Sequence, residues 1–276
     1  MNTLNKTQIT VLVGSALLIV LLLFAKTKLP NNKEDIKISD HVNPNLVAIT
    51  SLIDLAKKGL NANQKAIIEK LEEATKSSSD KKHAFENIIN QWDSLRQPLV
   101  AAYYTEQEAV ASPIEKNWEA AGNRYYAAIR FVKEAERPLL FDKAIECFEK
   151  TLELNPKNNE AKINLAACYV DGSANPMKGI GMLKEVEKTD SNNVNLQLNF
   201  AFFSEKSGQW DRAIARFQKV LRIKPDFIEA YLHLADAYQQ KGDKLKAIES
   251  LEKYVTLVDD VTIKTEIQDY INKLKN

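Results

Sequence analysis

The sequence predicts an all-α chain, a helical-repeat solenoid of helix–turn–helix units behind an amino-terminal transmembrane helix. Three observations predict it. A 17-residue uncharged stretch lies near the amino terminus, helical periodicity runs through nearly everything after Pro44, and one block of residues recurs at an interval of 34. Composition excludes much else. The 276 residues are 45% hydrophobic and 27% charged, a globular balance. Lys and Arg number 38 against 37 Asp and Glu, and this near-neutrality speaks against a broad nucleic-acid footprint. Two Cys and three His supply neither a disulfide framework nor a histidine-rich metal centre.

Residues 1–26 form the tail and anchor. From Ile9 to Ala25 the chain reads ITVLVGSALLIVLLLFA. As a helix this stretch is about 26 Å long, at the short end for a hydrocarbon core of roughly 30 Å, with flanking lysines able to reach the interface. A cleaved signal is the rival reading, but Phe24-Ala25-Lys26-Thr27-Lys28 has no A-x-A pattern and no cysteine stands nearby for lipid attachment. The expectation is therefore a single-pass protein, of a bacterial inner membrane, that meets the lipid bilayer through residues 9–25. Lys6 precedes the span, and Lys26, Lys28, Lys33 and Lys37 follow it. That balance mildly favours a cytoplasmic body and leaves the side open. Residues 27–43 are polar and read as a tether.

A helical preface occupies residues 44–110. Leu46, Ile49, Ile53 and Ala56 make one apolar stripe, closed by Gly59; Ile67, Leu71 and Ala74 make a second, before the SSSD run at 77–80. Phe85, Ile88, Trp92, Leu95 and Leu99 make a third, with Trp92 a core residue, and Pro98 should kink or restart the helix.

Residues 111–258 carry the repeats. Lys206-Ser207-Gly208-Gln209-Trp210-Asp211-Arg212-Ala213-Ile214 returns as Gln240-Lys241-Gly242-Asp243-Lys244-Leu245-Lys246-Ala247-Ile248. Gly208 and Gly242, Ala213 and Ala247, Phe217 and Leu251, and Phe200 and Leu234 all stand 34 apart. An earlier copy holds Leu165, Tyr169, Gly179, Leu183 and Val186, and Ala144, Phe148, Thr151 and Pro156 form a still earlier second half. Small residues let two antiparallel helices approach, large ones fill the space between pairs, and Gly208 and Gly242 fit the turns. Asp226 with Glu229 is expected to form a capping box. A single pair cannot bury its apolar face, whereas stacked pairs can. Residues 259–276, with Ile263, Ile267, Tyr270, Ile271 and Leu274, read as a capping helix.

This pattern resembles the tetratricopeptide repeat family over residues 115–258. Ala230 through Tyr238, with Gly242, Ala247, Ile248, Leu251 and Tyr254, fits it closely. Phe200 through Pro225 also fits, with Ser204 in place of the usual aromatic. Residues 159–189 fit more loosely, with Gly179 where the family prefers alanine. Upstream, Trp118, Ala121, Gly122 and Tyr125 match a first helix, and about ten extra residues around Ala127 to Pro138 separate it from its partner, read as a longer first helix.

The resemblance implies a groove that receives a peptide or a helix of a protein partner. By the family's pattern the groove-facing candidates are Ile163, Ala167, Val170, Asn195, Leu198, Phe202, Glu205, Glu229, Leu232, Asp236 and Gln239. The set is apolar in its inner part and acidic at its later end. The family's clamp for acidic carboxy termini needs lysines and arginines that are missing here; only Asn164 and Asn199 stand at sites where its asparagines could sit. A hydrophobic or weakly basic peptide is the expected ligand. The alternatives are a structural spacer that self-associates, with its groove filled by the preface, and an envelope-biogenesis holdase.

No catalytic constellation stands out. Cys147 and Cys168 lie on apolar helical faces as small fillers. His41, His83 and His233 have no nucleophile beside them, and Gly172, Gly179 and Gly181 lack the strand and terminal Lys of a phosphate loop. The lysine clusters have no interleaved aromatics of the nucleic-acid-binding kind. The expectations are no enzyme activity, no cofactor, no metal and no nucleic acid.

Overall fold

A computed structural model of the protein describes residues 44–172 and 175–276. The expected anchor and tether lie outside the described residues. Among the described residues no helix is long and apolar enough to cross a membrane.

The described chain is all-α. Thirteen helices follow one another: α1 (Pro44–Lys58), α2 (Ala62–Ser77), α3 (Lys81–Ser94), α4 (Pro98–Ala111), α5 (Glu115–Ala128), α6 (Arg137–Leu154), α7 (Asn159–Gly172), α8 (Pro176–Thr189), α9 (Val194–Lys206), α10 (Trp210–Ile223), α11 (Glu229–Gln240), α12 (Lys244–Leu257) and α13 (Val261–Lys275). No strand occurs among the described residues. Pro98 restarts the chain, supplying the first turn of α4 where its missing N–H is no loss. From α5 on, the helices pair as α5/α6, α7/α8, α9/α10 and α11/α12, and α13 closes the stack on α12. Residues 44–276 form one compact unit.

Turn chemistry explains the pairing. Gly208 and Gly242 have φ of +70° and +79°, in the left-handed region where a Cβ is unfavourable. In each turn the amide of the residue just before the next helix bonds back across the loop: Gln209 N–H to the Ser204 carbonyl at 2.8 Å, Asp243 N–H to the Tyr238 carbonyl at 2.9 Å. Asp243 then caps α12 by accepting from the Lys246 amide at 3.2 Å.

Two local expectations are corrected. The insertion between α5 and α6 does not lengthen α5, which ends at Ala128; it forms two 3-10 turns, Ile129–Phe131 and Glu134–Glu136, before Pro138 opens α6. The Asp226–Glu229 capping box is absent, because α11 begins at Glu229 with Ile228 at its cap and no side-chain bond.

The interior is not one continuous core. The preface shares its core with the first repeat helices: Ile49, Ile88, Trp92, Val100, Tyr125, Leu140 and Phe148 belong to one buried cluster that reaches Tyr169. Within it, Lys143 (side chain 7% exposed) donates to Glu106 and Glu146, each at 2.9 Å. Burial alone would lower its pKa, but the bonds to these carboxylates outweigh that and raise it. A separate cluster around Ala213, Phe217, Val220 and Leu234 fills the later repeats, and Ile248, Leu251 and Ile271 fill the carboxy-terminal end. Only a small group, with Ile163, Leu183, Val186 and Leu196, bridges α7 and α8 to α9. The seam between the α7/α8 and α9/α10 pairs is the thinnest of those between consecutive pairs.

Candidate functional site

The pairing fixes which side of each first helix is free. On α9, side chains turn about 100° per residue, so Leu198, Phe202 and Glu205 share one side and Phe200, Phe203, Ser204 and Ser207 share the opposite side. The two sides have different chemistry.

On the first side, Phe202 is 39% exposed, large for an aromatic residue. Its ring stands edge-on to Phe217, centroids 5.6 Å apart, and edge-on to His233 at 5.0 Å. His233, from α11, stacks on Phe217 with the planes 8° from parallel. Phe217 itself is fully buried. Its removal would cost about 3–5 kcal/mol as a core truncation, so Phe217 is scaffold and Phe202 is surface. Leu198 lies half-buried against the same cluster. Glu205 closes the patch: Oε2 is 3.7 Å from His233 Nδ1, while Oε1 is buried with no hydrogen-bond partner among the described residues. A desolvated acceptor left unpaired costs about 1–3 kcal/mol, so this oxygen is a place where a donor would be welcome.

The other expected groove residues fall in different places. Ile163 and Ala167 are buried and so present no surface; Ile163 is covered by Leu183 of α8 and Leu196 of α9. Val170 is half-buried and lines a cavity on the opposite side of the seam. Asn195 is exposed and donates to Glu160 at 2.7 Å. Leu232 packs on the cluster of Ala235, Ile248, Leu251 and Ile271. Gln239 accepts from the Tyr270 hydroxyl of α13 at 2.7 Å. Glu229 and Asp236 are exposed. Asn164 and Asn199 are engaged within the protein, donating to Asn123 and to the Asn195 carbonyl, each at 2.9 Å.

Two features escaped the sequence reading. His233, which the sequence shows only as a histidine with no nucleophile beside it, touches Phe202, Phe217 and Glu205. The second is the cavity, about 780 Å³, on the far side of α9 between α8 and α10. Its cations, Lys184, Lys206, Arg212 and Arg216, come from three different helices. Arg212 and Arg216 stand one turn apart, which puts both on one side of α10.

Neither cysteine lines the cavity or belongs to the cluster beneath Phe202. Cys147 and Cys168 are free thiols buried in helix faces, and burial pushes Cys168 up to about 12 and Cys147 higher still. Among the described residues no group of three or more His, Cys, Asp or Glu is placed to hold a metal ion.

With this geometry in place the relationship to known proteins is informative. A tetratricopeptide repeat model matches residues 140–158 and 228–257, and a TPR repeat model matches residues 206–242. The chain therefore carries tetratricopeptide repeats, and repeats of this class mediate protein–protein interaction. Among solved structures it is similar to a tetratricopeptide repeat protein from Parabacteroides merdae, at 16% identity and a TM-score of 0.55, covering 84% of this chain and 86% of that one. It is also similar to PilW, a widely conserved type IV pilus biogenesis factor, at 19% identity and a TM-score of 0.53, covering 71% of this chain and 87% of that one. These likenesses establish the fold. No curated protein matches the chain in sequence.

Proposed function

We propose that this protein is a membrane-tethered, non-catalytic interaction or assembly module that holds a peptide or helix of a protein partner against α9 and α11. The observation that carries this reading is the exposed Phe202 ring beside the unpaired Glu205 oxygen. An apolar side chain on Phe202 and Leu198, with an N–H or a cation at Glu205, would satisfy both. That ligand is a hydrophobic or weakly basic segment, consistent with exposed Glu229 and Asp236 farther along. Tethering rests on the apolar run at residues 9–25.

The spacer reading, with the preface filling the groove, receives less support. The preface shares the core of α5 to α7, and none of its described side chains joins the cluster beneath Phe202. The test is a double variant, Phe202→Ser with Leu232→Ser, in the full chain. Leu232 is half-buried, so circular dichroism checks the fold. The expected result is an intact helical spectrum with a co-purifying partner lost by at least about tenfold, the effect of removing a central apolar anchor. A partner retained at wild-type level on a folded variant contradicts the groove.

A further inference from the structure

We propose that the cavity between α8, α9 and α10 is a second docking site, and that it takes an acidic segment of a protein partner that carries an apolar side chain. The site is independent of the Phe202 face, because the two lie on opposite sides of α9.

The cavity, about 780 Å³, is large enough for a few side chains of a partner. Its apolar wall is made by Phe200 and Phe203, both half-buried, with Val170 and Ile180. Four cations surround it and no carboxylate lines it. Two of the four already serve the fold. Lys206 pairs with Asp171 at 2.9 Å; Arg216 bonds Glu187 and the Gln197 side chain and lies 4.4 Å over the Phe200 ring. Those bonds lace the thin seam between the pairs.

The remaining two do not. Lys184 and Arg212 are exposed, and neither has a carboxylate partner among the described residues; Arg212 bonds only the neutral side chain of Gln209. Two uncompensated positive charges thus flank an aromatic floor, in a chain whose formal charge is only +1. On the Phe202 side the charged groups named above are instead acidic: Glu205 beside His233, and exposed Glu229 and Asp236 on α11. The cavity lining carries positive charge and no carboxylate, and complementarity selects an acidic ligand here. A recessed pocket with aromatic walls fits a folded-in side chain better than a nucleic-acid backbone, which wants an extended basic track.

The experiment uses the full chain and short fluorescein-labelled peptides in which Glu and Asp flank one Phe or Leu, against matched peptides with Lys replacing each acid. The acidic set is expected to bind, to weaken with added salt, and to lose affinity about tenfold or more in Lys184→Glu with Arg212→Glu. Phe202→Ser is expected to leave that binding unchanged. Ser204→Trp, which fills the cavity without altering charge, is expected to block it, so the result does not depend on one variant folding. The proposal is overturned if acidic and basic peptides bind alike, if the charge-reversed or the filled variant binds as wild type does while folded, or if Phe202→Ser abolishes the same binding. Retention of phosphatidylglycerol vesicles or oligonucleotides, with no peptide bound, would equally overturn it.

Discussion

Gly179 shows how close two helices of this stack come. The tetratricopeptide pattern prefers alanine at its position, and a Cβ there would sit 2.4 Å from the Ala166 carbonyl oxygen, with Val170 also inside contact distance. A backbone atom cannot swing aside as a side chain can. Gly179→Ala is therefore expected to destabilise the protein by about 1–3 kcal/mol, the usual cost of overpacking, despite alanine's better helix propensity. Urea titration followed by circular dichroism reads the shift in midpoint; an unchanged or raised midpoint would mean that α7 and α8 are farther apart than described. The residues Gly208 and Gly242 were legible in the sequence because a left-handed turn has a residue preference of its own. Gly179 was legible as a departure from a pattern but not as a cause, since the distance between two helices is not written in either. The same reason explains Ile163 and Ala167. Their repeat positions say groove, yet both are buried, and only packing decides that.

At the scale of elements, the preface carries a turn of the same type as the repeats. Between α3 and α4, Arg96 has φ of +54°, and the Gln97 amide bonds back to the Trp92 carbonyl at 3.0 Å, as Gln209 and Asp243 do in the glycine turns. Arginine hides this kinship from sequence, because the marker residue is gone while the geometry stays. Successive pairs are also laced by a polar ladder. Glu115 accepts from Asn155 and Asn158, both at 2.8 Å, and Glu160 accepts from Asn193 at 2.8 Å and Asn195 at 2.7 Å. The junction of α10 with α11 adds apolar packing, through Phe217, Val220 and Leu234, to a hydrogen bond from Gln218 to the Tyr238 hydroxyl at 3.0 Å. At the thin seam the ladder matters most. Glu160→Ala is expected to speed amide exchange in α9 and α10 by about tenfold, equivalent to ~1.4 kcal/mol, while α3 to α6 keep their protection. Equal acceleration throughout would show that the seam is no boundary.

For the molecule as a whole, the all-α repeat architecture was legible from the 34-residue recurrence, because each repeat must bury its face on the next and so keeps the same residues at the same interval. The break in the core was not legible, since the α7/α8 pair keeps the repeat pattern on both sides of it. Nor was the gathering of four cations around the cavity, which depends on which helix faces which. The preface and first repeats share one core, the later repeats have their own, and Phe202 presents an exposed aromatic face. The most direct test places a photo-crosslinking amino acid at Phe202 in the full-length protein, in cells. The account predicts one abundant intermolecular adduct that disappears when Leu198 and Leu232 are made polar. Crosslinks confined to residues 44–110 of the same chain would contradict it, because the groove would then be filled from within.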